Sequence, residues 1–249
     1  MNMLIATPAY NGMVTAQYTG SIVAICRMFS ERGIAYGYRT ANTTDVAVAR
    51  NYFGSLCLSD EAVSHLLFVD ADMGFRASLV SRMLDFGQDF VSAAYVKRGL
   101  DLRRLLEDAT PEDLAGPAQR RRLVARHQDF TGVPLADSDG RVELRHGFAR
   151  FAVTGMGLCL LARGVFEEMV RVGVAERQKV HATGAKFPIY GFFDQIGEDG
   201  LRMSEDHSFC RRWVQGCGRD VWACVDEPIV HVGPYEFVGV YLDKIAPAS

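Results

Sequence analysis

Short apolar runs alternate with helix-like segments along the first 95 residues, and this alternation is the strongest constraint on the fold. The run His65–Val69 is continuous and apolar, which is typical of a strand buried on both faces. Apolar residues with helical spacing precede it over Thr15–Arg32 and Asp45–Leu58 and follow it over Leu79–Phe86. Strands and helices that alternate through short connections predict an α/β fold, with a parallel or mostly parallel central sheet flanked by helices.

The second half of the chain continues this pattern after an irregular stretch. The segment Lys97–Arg150 holds eleven basic and nine acidic residues, including the run Arg120–Arg122, and is interpreted as an inserted excursion of the chain. Further strands are expected at Leu4–Ala6, Ile34–Arg39, Phe90–Tyr95, Ala152–Ala162 and Asp220–Val225, with further helices at Gln119–His127, Gly164–Val172 and Ser204–Gln215. We expect one domain over residues 1–249, with the excursion at 97–150 on the side where an acceptor would bind.

Composition excludes several classes of protein. The formal net charge is −3, with 27 basic against 30 acidic residues, which does not suggest a polycationic nucleic-acid binder. The six cysteines contain no C-x-x-C pair, so a structural zinc site is not expected. We expect the cysteines to be reduced and buried thiols. The N-terminus lacks the features of a signal peptide, and no apolar run approaches the 18 or more residues of a membrane span. A cytoplasmic, enzyme-like domain without a transmembrane segment is therefore expected.

Two acids follow the buried strand directly, at Asp70 and Asp72. Ligands of open α/β sheets bind at the carboxyl ends of strands, and residues two apart on a strand point the same way. The pair is thus a candidate for Mg²⁺ or Mn²⁺ bound together with a phosphate substrate. The alternative is a solvated turn in which Asp72 caps the next helix.

Two later features strengthen the interpretation as a site. Ser204 is a candidate N-cap for a helix that opens with Glu205 and Asp206, so simple capping is one explanation of these acids. His231 lies at the end of an apolar strand, towards the same sheet edge as the earlier acids. A lone histidine is more often structural, but this position makes it a ligand candidate.

Together these features resemble the nucleotide-sugar-dependent glycosyltransferases of the GT-A fold, most closely the family-2-like bacterial and phage members. The matching segments occur in the family's order and span nearly the whole chain: Thr7–Asn11, Ala49–Asn51, Phe68–Asp72, Tyr95–Arg98, Gly155–Gly157, Ser204–Asp206, Arg211–Trp213 and His231–Gly233. No segment is specific alone, and the ordered set carries the resemblance. It implies a Rossmann-like GT-A domain that moves a sugar from a nucleotide-diphosphate sugar to an acceptor hydroxyl.

The resemblance also implies roles for individual residues. Asp72 and His231 would bind Mn²⁺ or Mg²⁺, with Asp70 at the donor ribose or at a metal-bound water. Asp206 would be the general base of an inverting reaction, with Glu205 orienting the donor sugar or the base. The remaining donor-site candidates are Thr7, Pro8, Tyr10 and Asn11 at the nucleoside, Arg50 at the diphosphate or base, and Gly155 and Gly157 where the backbone approaches the sugar. Tight strand packing explains the two glycines equally well, and an exposed helix position explains Arg50.

The acceptor is the least constrained part of this interpretation. A saccharide or lipid-linked glycan is the ordinary expectation, and the alternative is hydroxymethylated DNA, as for some phage enzymes, with the protein then acting in the host cytoplasm. The excursion's arginines would contact DNA phosphates in that case, or form a solvated helix face otherwise. No acid precedes Asp45 after the second strand, so a uracil-specific donor is not supported. A haloacid-dehalogenase-type phosphatase and an inactive sugar-nucleotide-binding domain are the remaining alternatives.

Overall fold

The computed structural model describes residues 1–179 and 185–245, and its centre is a mixed nine-stranded sheet. The strands are β1 (Asn2–Pro8), β2 (Ala35–Ala41), β3 (His65–Val69), β4 (Met73–Gly74), β5 (Phe90–Ala93), β6 (Val96–Leu100), β7 (Gln128–Phe130), β8 (Val133–Pro134), β9 (Leu144–Arg145), β10 (Phe148–Val153), β11 (Leu158–Ala162), β12 (Gly197–Glu198), β13 (Leu201–Arg202), β14 (Val221–Cys224), β15 (Ile229–Val232) and β16 (Glu236–Gly239). The helices are α1 (Ala16–Glu31), α2 (Val46–Ser59), α3 (Ala77–Phe86), α4 (Leu102–Asp108), α5 (Pro111–Leu114), α6 (Pro117–Arg126), α7 (Arg163–Arg171), α8 (Glu205–Arg211) and α9 (Tyr241–Ile245).

The strand order of the central sheet is β2-β1-β3-β11-β5-β14-β10-β8, with β9 also paired to β10. β1 pairs in parallel with both β2 and β3, and β5 pairs in parallel with β14. β10 and β11 run against the other strands of this sheet. The predicted α/β fold with a mostly parallel central sheet flanked by helices is confirmed.

The sheet separates two apolar cores, because alternate side chains of a strand face opposite sides. In β3, Leu66 and Phe68 join the core under α2 and α7, whereas Leu67 and Val69 join the core under α1 and α3. All four are fully buried, as the continuous apolar run predicts. The strand can therefore place a charged residue only beyond its last residue, where Asp70 lies.

Phenylalanines from a loop complete the first core. Phe192 and Phe193 lie in the loop before β12 and are fully buried, with the Phe193 ring stacked on Phe209 at 4.3 Å. The buried Asn51 of α2 holds this loop, because its Oδ1 accepts from Phe193 N at 2.7 Å. Arg212 donates to the carbonyls of Phe192 and Asp194 from the other side. These contacts explain Asn51 and Arg212 as residues that position the loop.

Two sequence predictions need correction in the second half of the chain. The single strand expected over Ala152–Ala162 is wrong: residues 154–157 separate β10 from β11, and the two strands lie apart in the sheet. Ser92 holds this connection by donating its hydroxyl to the Gly155 carbonyl at 2.7 Å. The helix expected over Ser204–Gln215 is regular only to Arg211 and continues as a π-helical turn over Arg212–Gly216.

The excursion at 97–150 is packed onto the domain and extends its sheet. It contains the predicted arginine-rich helix as α6, and β6 and β7 form a separate two-stranded ribbon. β8 and β9 pair with β10 at the edge of the central sheet.

Two helical glycines provide a test of the packing under α2. A Cβ on Gly54 would lie 2.8 Å from a Phe166 ring carbon, whereas a Cβ on Gly20 of α1 would meet no atom within 4 Å. We expect Gly54→Ala to lower the free energy of unfolding by about 1–3 kcal/mol through overpacking. Gly20→Ala should raise it by about 0.5–1 kcal/mol through helix propensity. Urea denaturation measures both, and an equal effect of the two substitutions would contradict the described packing.

Candidate active site

A cavity of about 510 Å³ lies at the carboxyl ends of β1 and β3. Pro8 and Tyr10 follow β1, Asp70 and Asp72 follow β3, and Thr43 comes from the loop that leads into α2. This is the edge of an open α/β sheet at which ligands bind. Both acids that the sequence placed after the buried strand therefore reach one cavity.

A buried arginine joins three acids beside this cavity. Arg50 of α2 is only 2% exposed, and its Nη2 donates to both carboxylate oxygens of Asp70 at 3.1 Å. Its Nη1 donates to Glu205 Oε1 at 2.8 Å and also to Asp206 Oδ1. One guanidinium thus connects the end of β3 with the start of α8. The structure excludes the alternative of an exposed helix arginine.

The charges of this cluster do not cancel, because one guanidinium faces three carboxylates. Burial opposes the charge of Arg50, yet the surrounding Asp206, Asp70 and Glu205 raise its pKa, so it stays protonated. Burial raises the pKa of Asp206 to about 7; Arg50 opposes this shift, and Glu205 and Asp70 add to it. Such a pKa suits a group that exchanges a proton near neutral pH. The Asp206 side chain is 21% exposed and therefore within reach of solvent.

Asp72 belongs to a second charged group. Its Oδ2 lies 3.4 Å from His231 Nε2 and 3.2 Å from Arg98 Nη1. Burial opposes the charge of Asp72, but the hydrogen bond and charge of His231, together with Arg98, hold its pKa below the usual value. Because β3 ends at Val69, Asp70 and Asp72 lie outside the strand and do not point the same way. Asp70 pairs with Arg50, and Asp72 pairs with Arg98. Asp72 and His231 are brought together, whereas Asp70 is turned to Arg50.

The residues beside Asp72 fit a divalent cation that also binds a phosphate. His231 Nδ1 donates to the Val96 carbonyl at 2.9 Å, so Nε2, which faces Asp72 at 3.4 Å, is the ring nitrogen that could bind a metal in place of a proton. Among residues 1–179 and 185–245, no three His, Cys, Asp or Glu side chains are arranged to hold a metal ion. Two protein donors suffice for Mg²⁺ or Mn²⁺ when substrate phosphates and water complete the coordination.

The predicted nucleoside residues divide into two groups. Pro8 and Tyr10 line the cavity, and Tyr10 is 63% exposed, which leaves its ring available to a ligand. Thr7 is fully buried and hydrogen-bonded to the Tyr18 hydroxyl, so its side chain serves the interior. Asn11 is exposed in a left-handed turn with φ of 57°, which asparagine tolerates better than most residues.

Gly155 and Gly157 are explained by packing against Tyr95. A Cβ at either position would lie 2.7 Å or less from the buried Tyr95 hydroxyl, which accepts a hydrogen bond from Gly157 N. Gly157 also accepts from Asp70 N at 2.8 Å, and Met156 N donates to Asp206 Oδ2 at 3.3 Å. The tight turn therefore aligns the backbone beside both acids. The tight-packing alternative accounts for the two glycines.

Sequence reasoning missed three kinds of residue around the cavity. Arg98 is 52% exposed and lines it, although only the surrounding segment was singled out. Thr43 and Thr44 line the wall where an acid was sought, while Asp45 is occupied in capping α2. Thr43 and Thr44 were marked in the sequence only by their position after the second strand. Tyr95 belongs to the matching segment Tyr95–Arg98, but its packing role gave no signal, since that role depends on the backbone of residues 155–157.

Most arginines of the excursion have partners within it or nearby. Arg103 pairs with Glu107, Arg104 with Asp101, Arg121 with Asp243 and Arg126 with Asp113, and Arg120 donates to the Leu114 carbonyl. Such exposed pairs are weak, but they favour a solvated helix face over a row of free cations. The pairing supports the interpretation of these arginines as a solvated helix face.

Comparison with known proteins adds little to this geometry. No family model and no curated protein matches the chain. The chain is similar over 100% of its length to the crystal structure of A197 from STIV, at 14% identity and a TM-score of 0.47, covering 98% of that chain. It is similar over 68% of its length to a Bacillus anthracis protein assigned as a glucose-1-phosphate thymidylyltransferase, in complex with sucrose, at 10% identity and a TM-score of 0.31, covering 74% of that chain. Neither a family nor an activity follows from similarity at this level.

No helix among residues 1–179 and 185–245 combines the length and the apolar character needed to cross a bilayer.

The charge balance around Arg50 predicts a pH-dependent stability defect. We expect Arg50→Met to lower the free energy of unfolding by about 3–5 kcal/mol at neutral pH, because three part-buried carboxylates lose their counter-charge. Arg50 opposes the raised pKa of Asp206, so its loss raises that pKa further; the defect is therefore greatest at high pH and shrinks as pH falls through the raised value. Urea denaturation across pH measures it.

Arg82→Met is the matched control, because Arg82 also holds two acids but is 31% exposed at the surface. It should cost about 1 kcal/mol or less. Equal losses in the two variants, or a defect of Arg50→Met that grows at low pH, would contradict the charge account.

Proposed function

We propose that this protein is a glycosyltransferase of the GT-A type, which moves a sugar from a nucleotide-diphosphate sugar to an acceptor hydroxyl. The observation that carries the proposal is the Arg50 cluster. It holds Asp70, at the large cavity, and Asp206, a carboxylate with a pKa near neutrality, on one guanidinium. A donor in the cavity and a general base for the acceptor would then lie on either side of Arg50.

The donor site follows from the shape and charge of the large cavity. Tyr10 offers an aromatic face for the base, and Thr43 and Thr44 offer hydroxyls that both donate and accept hydrogen bonds. Arg98, at the cavity wall, is placed to pair with the diphosphate. A nucleoside diphosphate brings negative charge towards Asp70 and Asp72, so a further cation is needed.

Asp72 and His231 would hold that cation, which supplies positive charge at the diphosphate leaving group when bound. The Val96 carbonyl fixes the ring of His231 so that Nε2 faces Asp72. Arg98 contacts the same Asp72 oxygen from an exposed position and would be available to a phosphate if Asp72 held the cation.

In the inverting reaction, Asp206 accepts the proton of the acceptor hydroxyl while that oxygen attacks the anomeric carbon. Arg50 keeps the Asp206 carboxylate in place, and Met156 N holds its second oxygen. Glu205 shares the same Nη1 of Arg50 and thereby fixes the guanidinium against Asp206. The raised pKa makes Asp206 a stronger base than an ordinary exposed aspartate.

Replacement of the base tests this mechanism. We expect Asp206→Asn to lower transfer by about 10²–10⁴-fold, the usual contribution of a general base, and to leave donor affinity unchanged because Asp206 does not line the donor cavity. Transfer by the wild type should also rise as pH increases through about 7, where Asp206 loses its proton. Nucleotide release and calorimetric donor binding give the two readouts.

Glu198→Gln is the control. Glu198 pairs with Arg211, which lies on α8 as Asp206 does, but Glu198 lines neither of the two cavities beside the Arg50 cluster. It should leave the rate and its pH profile unchanged. Undiminished turnover in Asp206→Asn would remove Asp206 from the mechanism.

A further inference from the structure

A second, smaller cavity lies on the Asp206 side of the Arg50 cluster. Its volume is about 290 Å³, and it shares no lining residue with the larger cavity. Asp206 and the N-cap residue Ser204 come from the start of α8, Thr131 follows β7, Val133 begins β8, and Lys97 comes from β6. A volume at the lower end of small-molecule sites suits a ligand of about one sugar ring.

The charged side chain at this cavity that has no ion-pair partner among the described residues is a cation. Asp206 is already paired with Arg50, whereas Lys97 is exposed and forms no ion pair with any described residue. His207 adds an imidazole at the same wall. A lysine with an available ammonium in a cavity that also holds a candidate base is suited to an anionic group.

Adjacent residues of β6 serve the two cavities separately. Lys97 lines the smaller cavity and Arg98 lines the larger one, since successive side chains of a strand point to opposite faces. The ribbon of β6 and β7 therefore presents one cation to each cavity. A negative group is accommodated on both sides of the cluster, and by different residues.

We propose that the smaller cavity is the acceptor site, and that it takes a small hydroxylated molecule bearing a phosphate or carboxylate group. This rests on the proposed function. Lys97 pairs with the anionic group and thereby places a hydroxyl of the acceptor at Asp206. The walls of the cavity include Thr131, which can hydrogen-bond other hydroxyls of the acceptor. They also include Phe130 and Val133, which can contact the carbon atoms of the acceptor.

In the transfer step, the acceptor O–H bond breaks and its proton goes to Asp206, while the acceptor oxygen forms a bond to the anomeric carbon. The bond between the anomeric carbon and the diphosphate oxygen breaks, and its electron pair leaves with the nucleoside diphosphate. Lys97 takes no part in these bonds and acts only in binding the acceptor.

The test compares small anionic probes with neutral ones of the same skeleton. Glycerol 3-phosphate, glycerate and glucose 6-phosphate are titrated into the full chain alongside glycerol and glucose, with binding followed by calorimetry or ligand-detected NMR. We expect anionic probes to bind more tightly than their neutral counterparts. Lys97→Met should weaken their binding by about tenfold or more, the effect of losing one charge-assisted hydrogen bond.

Arg98→Met is the matched variant on the neighbouring residue. It should leave binding of the anionic probes unchanged and weaken nucleoside diphosphates, whereas Lys97→Met should do the reverse. The proposal is overturned if no anionic probe binds, if Lys97→Met binds them as well as the wild type, or if their binding depends on Arg98 instead. Displacement of the probes by a short DNA duplex would assign the cavity to nucleic-acid phosphate and also overturn a small acceptor.

Failure of the proposed function gives a different result. If anionic probes bind through Lys97 but no nucleoside diphosphate binds, the glycosyltransferase proposal fails, and the acceptor assignment fails with it, leaving an anion site. If nucleoside diphosphates bind and the probes do not, the acceptor assignment fails alone.

Discussion

The pairing of one buried guanidinium with three carboxylates is the interaction on which the candidate site depends. Arg50 leaves the core on α2 and draws Asp70, from the end of β3, towards Glu205 and Asp206, from the start of α8. Asp70 lies more than 130 residues before Glu205 and Asp206 in sequence, and the network sets their relative positions. A buried charge of this kind is costly unless it is fully paired, so α2 and α8 must both be in place for it to form. The site and the packing of the core are therefore coupled.

Much of the fold could be predicted, because burial leaves a periodic trace in the sequence. The continuous apolar run His65–Val69 predicted a strand buried on both faces, and its bounds are confirmed. The helix boundaries at Thr15 and Asp45 could be predicted as well, since both residues cap their helices through their own side chains. The break at residues 154–157 could not, because it packs against the hydroxyl of Tyr95, which lies between β5 and β6 and is distant in sequence. Long-range contacts of that kind leave no local pattern.

The candidate site was predictable in its membership and less so in its arrangement. Asp70, Asp72, Glu205, Asp206 and His231 were singled out by their places at element ends, and the structure gathers them near the cavities. Residue spacing suggested that Asp70 and Asp72 share one partner, but the chain turns after Val69 and gives each its own arginine. The sequence did not indicate that Arg50 would pair with three acids, because burial of an arginine is decided by tertiary packing. Ordering along the chain identifies candidates, and only three-dimensional contacts assign them partners.

In the proposed reaction, a donor diphosphate would lie at Asp72, His231 and Arg98 and an acceptor at Asp206, with Arg50 between the two. The most direct test is a panel of nucleoside-diphosphate sugars incubated with the protein in Mn²⁺ and in EDTA, with release of free nucleotide as the readout. We predict that at least one donor releases nucleotide in Mn²⁺, that EDTA suppresses the release, and that renewed Mn²⁺ restores it. Absence of release from every donor, with phosphate liberated instead from a simple phosphoester, would contradict the account.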